Sequence, residues 1–280
     1  MEGGAAVKKL SLFFAAALLV VAAGFAAAAD IGFSVDNDST FERKEKDEDA
    51  FIQKNKGLVW FTADPGENWE FKAVAGGTLS NDEDEPLFYA DFQQLSLKGF
   101  YPLPAEGISL FSVEAGRFYE GEFSGRVFAH VMDGIRLELG FPDSTAHLAA
   151  GYTGLVNKYY GSILMSGADA VDDGDDDKFL GPPRLVGVFS WEFTELFGRQ
   201  SLTLAAVYQM DMRGYLESNP LDELDTFYAG AGLGGPLGGR MYLALYGRYG
   251  GRDIAFYLLG GGLRWYRPDL RQGAMGLYFL

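Results

Sequence analysis

The sequence predicts an all-β protein, and its composition, its hydrophobic periodicity and its turn residues each point that way. Its 280 residues include 38 Gly, 23 Phe and 15 Tyr. Aromatic side chains favour strands, whereas glycine disfavours helix interiors and suits turns and crowded sheet surfaces. The mean hydropathy is −0.02, and after residue 29 no apolar run is long enough for a transmembrane helix. A polytopic helical membrane protein is therefore excluded.

The N-terminal segment has the three parts of a secretory signal peptide. Two lysines precede an uncharged stretch over residues 10–29, which ends in an A-x-A cleavage signature formed by Ala27 and Ala29. We therefore predict a signal peptide at 1–29 and a mature domain at 30–280. The alternative is an uncleaved membrane anchor, because the uncharged stretch is just long enough to span a bilayer.

Cysteine content and charge exclude further classes of protein. The chain has no cysteine and a formal net charge of −16 at pH 7. Disulfides and a lipid-anchored cysteine are excluded, so burial and backbone hydrogen bonds must hold the exported chain together. An acidic surface repels nucleic acid, which we exclude as a partner. The sequence has no P-loop, and we predict no cofactor.

Alternation with a period of two is clearest at residues 201–212. Every second residue from Leu202 to Met212 is apolar, and the residues between them are mixed or polar. Because side chains two apart share a face of a strand, such a segment offers one apolar surface and one that tolerates water. Similar strands are predicted at 31–41, 57–63, 69–79, 88–101, 108–118, 124–132, 135–141, 146–155, 185–193, 226–233, 240–249, 254–266 and 273–280.

Turn residues and polar connections separate these strands. Turn chemistry is present at Asp64–Asn68, Asp133–Gly134, Pro142–Ser144 and Gly234–Gly239. Longer polar connections occupy 42–56, 81–86, 168–183 and 213–225. If the last strand ends in the periplasm, this count places the last two connections on the periplasmic side, where turns should be short. At least one strand is then miscounted, or one long loop faces inward.

These strands favour an antiparallel transmembrane β-barrel of about 12 to 14 strands over a soluble sandwich. Many are near the length that a tilted strand needs to cross a bilayer, and several are longer than the hairpins of a sandwich. A closed barrel also removes the unpaired edges that lipid cannot hydrate. Aromatic residues recur near the strand ends, as in the girdles at both membrane interfaces: Trp60, Phe61, Trp69, Phe71, Tyr101, Phe118, Tyr119, Tyr159, Tyr160, Trp191, Phe193, Trp265 and Tyr266.

The C-terminal residues Gly276–Leu280 resemble the closing strand of bacterial outer-membrane barrel proteins. Their apolar and aromatic residues alternate, although the last residue is Leu where Phe or Trp is usual. The segments 115–118, 133–134 and 151–155 are similar to porin-type barrels of Gram-negative or spirochaetal bacteria. The resemblance implies an outer-membrane location. It also implies outer-membrane lipid, lipopolysaccharide or its equivalent, and the barrel-assembly machinery as partners.

Polar residues within the predicted strands are candidates for the pore lining, since a charge facing lipid costs several kcal/mol near the midplane. We expect Arg117 to accompany Glu114, Arg136 to accompany Glu138, and Lys72 to accompany Glu70. Such residues either filter solutes by charge and size or form a satisfied network that plugs a narrow barrel. The full candidate set is Glu70, Lys72, Glu114, Arg117, Arg136, Glu138, Gln209, Asp211 and Arg248.

An acidic run forms the sharpest local feature of the chain. Carboxylates are hard oxygen ligands that bind calcium, although the spacing does not fit an EF-hand loop. A solvated acidic loop is the alternative, and divalent cations are the partner that the first interpretation implies. The candidate ligands are Asp172, Asp173, Asp175, Asp176 and Asp177.

We predict no enzymatic activity. His130 and His147 are the only histidines, and neither lies in a G-x-S-x-G or H-E-x-x-H motif. The leading hypothesis is an outer-membrane barrel that acts as a porin-like passive channel or small-solute binder. The alternative is a structural or adhesion barrel with acidic surface loops and no conducting pore. A barrel enzyme that acts on lipid is the third and weakest hypothesis.

Overall fold

The computed structural model describes most of the chain after the predicted signal peptide. The predicted signal peptide lies outside the described residues, except for Ala29. Side chains are described as far as Gly235, with gaps, and only the backbone beyond it. The described ranges are 29–42, 50–82, 85–103, 107–123, 125, 127–160, 167–175, 177–197, 199–216, 224–238, 241–250, 256–265 and 273–279.

Thirteen strands form one antiparallel sheet in which each strand pairs with its neighbours in sequence. This confirms the all-β prediction, and the strand number lies within the predicted range. Two short helices lie in the connections, α1 (Gly167–Asp173) and α2 (Arg213–Leu216). The strands are β1 (Ala29–Glu42), β2 (Ala50–Gly66), β3 (Trp69–Asp82), β4 (Glu85–Tyr101), β5 (Leu110–Gly121), β6 (Ala129–Gly140), β7 (Ser144–Tyr152), β8 (Arg184–Phe197), β9 (Gln200–Asp211), β10 (Thr226–Gly238), β11 (Met241–Gly250), β12 (Phe256–Trp265) and β13 (Gly273–Phe279).

Among the described residues no backbone pairing joins β1 to β13, so the sheet ends in two edges. Because the strand number is odd, β1 begins at one rim of the sheet and β13 ends at the other. None of the described helices is long and apolar enough to cross a membrane.

Successive connections alternate between the two rims, and the two longest lie at the same rim. One rim, here the long-loop rim, carries the connections at 43–49, 83–84, 122–128, 153–183, 212–225 and 251–255. The other, here the tight-turn rim, carries those at 67–68, 102–109, 141–143, 198–199, 239–240 and 266–272. Both of the longest connections therefore lie at one rim.

The predicted turn at Asp133–Gly134 is wrong, and it divides one strand into two. Both residues lie inside β6, which pairs without a break with β5 and β7 across this point. A Cβ on Gly134 would lie 2.1 Å from the backbone oxygen of Ala150. The glycine is therefore needed for a close approach of two strands and not for a turn. Joining the two predicted strands into one gathers the four long polar connections at one rim, which is also the rim where β13 ends. The last two of these connections therefore stay on the side of the sheet where the last strand ends.

One face of the sheet, here the exposed face, is apolar across almost its whole width. Three successive rows of register-paired residues on this face contain no charged side chain, and each row crosses ten strands. The first row is Ala29, Ala63, Phe71, Leu97, Ala115, Ile135, Ala150, Gly187, Tyr208 and Phe227. The second is Trp69, Gly99, Val113, Leu137, Leu148, Phe189, Ala206, Ala229, Tyr249 and Tyr257. The third is Tyr101, Phe111, Leu139, Ala146, Trp191, Leu204, Ala231, Gly247, Leu259 and Phe279.

On β6, β7 and β10 large apolar side chains of this face are open to the surroundings, whereas Phe61, Ala63 and Ala73 on β2 and β3 form a buried cluster. Ile135, Leu148 and Phe227 are 52%, 51% and 47% exposed, although the interior of a soluble protein would cover such residues. Near the tight-turn rim the face also carries aromatic pairs. Trp69 lies 5.8 Å from Tyr101, and Trp191 stacks on Phe193 at 5.0 Å.

The opposite face, here the covered face, is half charged and half apolar. The register row that begins with Glu70 on β3 continues through Lys98, Glu114 and Arg136 on β4, β5 and β6. The same row then becomes apolar on β7 to β10, where it consists of Ala149, Val188, Val207 and Tyr228. These four apolar residues are buried, at most 8% exposed.

The far end of the β5–β6 hairpin covers this apolar half. The pairing of β5 with β4 and of β6 with β7 stops at Arg117 and Asp133, so residues 118–121 and 129–132 leave the sheet as a two-stranded ribbon. Among residues 118–132, Phe118, Phe128 and Met132 pack against the apolar half of the covered face and are at most 3% exposed. We call residues 117–133 the inner hairpin.

Candidate functional site

The charged half of the covered face is organised around Arg136. Its Nη1 donates to Glu114 Oε2 at 2.9 Å, and its Nε donates to Glu120 Oε2 at 3.0 Å. Its Nη2 donates to the backbone oxygen of Tyr119, and its guanidinium lies 4.4 Å from the centre of the Phe118 ring. Arg136 on the sheet therefore binds the inner hairpin through a carboxylate, a carbonyl and an aromatic face.

His147 joins the same cluster from β7. Its Nε2 lies 3.1 Å from both carboxylate oxygens of Glu120. Glu120 is therefore shared between a guanidinium and an imidazole, and its side chain is 3% exposed. The contacts hold the base of the hairpin against the sheet and leave this carboxylate satisfied.

Glu70 and Lys98, the other two charged residues of the row, are more accessible, and so is Lys72 beside Glu70. Lys72 and Glu70, two residues apart on β3, form an ion pair at 2.6 Å with side chains 43% and 25% exposed. Lys98 lies over the ring of Phe100 at 5.0 Å. The covered face on β3 and β4 therefore presents partly exposed charges of both signs, whereas the charges on β5 and β6 are buried against the hairpin.

Arg117 anchors the hairpin where it leaves the sheet. It forms a bidentate pair with Asp133, from Nε at 2.9 Å and Nη2 at 2.8 Å, and its Nη1 donates to Asp91 at 2.6 Å. Further bonds reach the backbone oxygens of Phe92 at 3.1 Å and Leu155 at 2.9 Å. All five donors of the guanidinium are thus used, which a lysine cannot reproduce.

The chain after β7 fills the space that the departing hairpin leaves beside β4. The backbone nitrogen of Asn157 donates to Asp91 Oδ2 at 2.7 Å. Tyr159 stacks on Tyr89 at 5.0 Å, and Tyr160 contacts the same ring edge-on at 5.3 Å. Burial raises the pKa of the Tyr160 hydroxyl to about 12. Asp91 therefore links three elements, namely β4, the hairpin base and the β7–β8 connection.

A second ionic network joins the two longest connections at the long-loop rim. Asp169 of α1 accepts from Arg184 Nη2 and from Arg213 Nη2, both at 2.6 Å. Arg213 also binds Asp211 at 2.6 Å, and Arg184 Nη1 donates to the backbone oxygen of Leu224 at 3.0 Å. The four charged side chains are at most 2% exposed. Burial alone would lower the pKa of Arg213, but its bonds to Asp211 and Asp169 raise that pKa above its ordinary value.

The acidic run forms part of this rim. Asp172 pairs with Lys178 at 2.6 Å and lies 3.4 Å from Arg213 Nη1. The backbone oxygens of Asp173 and Asp175 accept from the ammonium of Lys158 at 2.8 and 2.7 Å. Within the described ranges no group of three or more acidic or histidine side chains is placed to hold a metal ion. Asp176 lies outside the described residues, and a calcium site remains a prediction that these contacts do not favour.

The predicted pore-lining residues lie in three places, namely the covered face, the base of the inner hairpin and the buried network at the long-loop rim. Glu70, Lys72, Glu114 and Arg136 lie on the covered face, and the predicted pair of Lys72 with Glu70 is present. Arg117 does not pair with Glu114, nor Arg136 with Glu138. Instead Arg117 binds Asp91 and Asp133, and Arg136 binds Glu114 and Glu120.

The remaining predicted residues lie elsewhere on the same face or at the rim. Glu138 shares a register row with Ser112 and His147. The same row continues across β8, β9 and β10 and reaches the backbone position of Arg248 on β11. Gln209 is fully buried, and its amide has no hydrogen-bond partner among the described residues. Asp211 belongs to the buried rim network.

Sequence reasoning missed several residues of these clusters. Lys98 could have been found, because it alternates with the apolar Leu95 and Leu97 in a predicted strand. The residues Asp91, Asp133, Glu120, Asp169 and Arg184 gave no such signal, since their charged partners lie at least fifteen residues away in the chain. Arg213 lies two residues after its partner Asp211, so its position beside a predicted site residue could have been noticed. No protein-family model matches the chain, and no curated protein matches it either.

Proposed function

We propose that this chain is a bacterial outer-membrane protein whose sheet is the wall of a β-barrel. In this arrangement the exposed face contacts lipid and the covered face lines the interior. The carrying observation is the inverted polarity of the sheet. Three uncharged rows across ten strands lie on the exposed face, while the row from Glu70 to Arg136 lies on the covered face.

The height of the apolar face supports a membrane setting. On β8 its exposed-face positions run from Leu185 to Phe193, which is about 27 Å along the strand and about 20 Å across a membrane at a tilt near 40°. Outer-membrane barrels show an apolar band about 25 Å tall, flanked by aromatic girdles. The aromatic pairs at the tight-turn rim and the Arg117–Asp133 ion pair towards the other rim bound the band.

The activity that this interior supports best is passive passage of small ions or solutes, without covalent chemistry. The inner hairpin occupies the side of β7 to β10, which leaves the partly exposed charges of β3 and β4 as the lining of a narrow path. Glu70, Lys72 and Lys98 provide both signs of charge there. Such a lining filters by size more than by the sign of the charge. Outer-membrane lipid, lipopolysaccharide and the barrel-assembly machinery are the partners that this proposal requires.

A barrel without a conducting pore is the second candidate, and one observation favours it. The inner hairpin is closely packed, with Phe118 and Met132 at most 1% exposed and Glu120 fully paired. A hairpin held in this way can occlude the interior, in which case the protein has a structural or adhesive role.

Refolding into liposomes and single-channel recording test both steps. We expect the wild-type protein to float with the liposomes and to give small, stable conductance steps. Leu148→Arg replaces a side chain that is 51% exposed on the apolar face; it should cost about 2–4 kcal/mol near the midplane and reduce insertion. Ser190→Arg is the matched control, because Ser190 lies in the register row of His147 on the covered face, and this variant should insert normally. A protein that stays in solution, or equal insertion of the two variants, would exclude the membrane assignment, and insertion without conductance would favour the second candidate.

A further inference from the structure

β1 and β13 are the edge strands of the sheet, and among the described residues each has a partner strand on one side only. All fourteen residues of β1 pair with β2 alone, and β13 pairs with β12 alone. The uncovered side of β1 also leaves its side chains open. Phe33 and Val35, at 75% and 73%, are the two most exposed large hydrophobic residues of the described part of the chain.

In the proposed membrane setting, lipid hydrocarbon cannot form hydrogen bonds with the backbone groups of such an edge. Unpaired N–H and C=O groups each cost several kcal/mol in hydrocarbon, which is why membrane-spanning sheets are closed. An edge as long as β1 must therefore be covered by another strand. The edge of β13 has the same requirement, and both edges belong to the same sheet.

We propose that β13 covers β1 and that the two strands run parallel. In an antiparallel sheet with sequential order, all odd-numbered strands point in the same direction, so β1 and β13 both run from the tight-turn rim to the long-loop rim. Closure by these strands creates one parallel pair in an otherwise antiparallel ring. This departs from the even strand number of bacterial single-chain barrels, whose closing pair is antiparallel.

The stagger of the sheet indicates where the two strands meet. The register row that begins at Ala29 on β1 passes through Leu97 on β4, whereas the row that ends at Phe279 on β13 passes through Tyr101 on β4. The second row therefore lies four residues nearer to the tight-turn rim than the first. With thirteen strands, a tilt of about 35–45° requires a total stagger of about 14 to 18 residues around the ring. That stagger brings β13 against the second half of β1, from about Phe33 to Glu42.

Cysteine cross-linking tests this closure, because the chain has no cysteine of its own. Gly276→Cys on β13 is combined in turn with Asp36→Cys, Asp38→Cys or Thr40→Cys, which share the covered-face register of β1. Val35→Cys, Asn37→Cys and Ser39→Cys are the matched controls on the other face. Paired residues of neighbouring strands lie within the Cα separation of a disulfide, and residues on opposite faces do not point at one another.

We expect one of the three same-face pairs to form an intramolecular disulfide in liposomes of phosphatidylcholine, seen as a reducible shift in gel mobility. The controls should remain reduced. Disulfide-linked dimers would mean that a second copy covers β1 and would overturn the proposal. So would the absence of any cross-link in variants that still float with the liposomes, since another segment must then cover the edge. Because the closure rests on the membrane assignment, flotation of the wild-type protein is measured separately, and its failure would reject that assignment itself.

Discussion

Arg117 and Asp133 face each other across β5 and β6 and form a bidentate ion pair at the point where the inner hairpin leaves the sheet. The guanidinium also holds Asp91 and two backbone oxygens. These contacts join β4, the inner hairpin and the β7–β8 connection. The pair therefore fixes the direction in which the inner hairpin leaves the sheet and lies over the covered face.

Replacing Arg117 by lysine should loosen the inner hairpin. Lysine keeps the charge but has no planar fork, so the bidentate pair with Asp133 and the carbonyl bonds are lost together. We expect a loss of about 2–3 kcal/mol in the free energy of unfolding and faster proteolysis near residues 122–128. Arg199→Lys, at an exposed position of the tight-turn rim, is the control. Equal effects of the two substitutions would contradict the anchoring role.

Glycine at the base of the hairpin should be essential at two positions. Gly134→Ala places a Cβ 2.1 Å from the Ala150 oxygen, and Gly116→Ala places one 2.2 Å from the Leu95 oxygen at a φ of +120°. At Gly116 the strained backbone alone costs about 1–3 kcal/mol for a residue other than glycine, and at Gly134 the close approach to the Ala150 oxygen gives the cost. Gly187→Ala is the matched control, because nothing lies within 4 Å of its added Cβ. Thermal unfolding in detergent would show whether only the first two variants are destabilised.

In the proposed barrel, removing the apolar contacts of the inner hairpin should widen the path through the interior. Phe128→Ala deletes a side chain that is 3% exposed and packs on the covered face, at a cost of about 3–5 kcal/mol. We expect larger or noisier conductance steps than in the wild-type protein. Tyr119→Ala is the comparison, since Tyr119 is 59% exposed on the same hairpin and its backbone oxygen stays available to Arg136. Unchanged conductance in Phe128→Ala would show that the hairpin does not restrict the path.

The buried rim network should matter far more than the exposed pair beside it. Asp169→Asn weakens the interaction with two arginines that are at most 2% exposed, and breaking such a buried pair costs about 3–5 kcal/mol. Lys178→Met removes a partner that is 43% exposed, for which about 0–1 kcal/mol is expected. Denaturant unfolding of both variants measures the difference. Similar losses would mean that the network does not stabilise the rim.

The sequence by itself determined the all-β class, most strand positions and the two faces of the sheet. Alternation is a local property, so Leu204 and Tyr208 could be assigned to one face and Gln209 to the other without knowledge of any partner strand. The ion pair of Glu70 with Lys72 was predictable for the same reason, since side chains two apart on a strand point the same way.

Only the tertiary structure decided which charges meet and where the hairpin lies. Asp133–Gly134 has the composition of a turn, and the surrounding strands convert it into the continuous middle of β6. Arg184 reaches Asp169, fifteen residues away, and Arg213 reaches it from forty-four residues away. Such pairs depend on how β5 and β6 bend and how the loops fold over the rim. Periodicity cannot show this, because it records the face of a residue and not its neighbour across space.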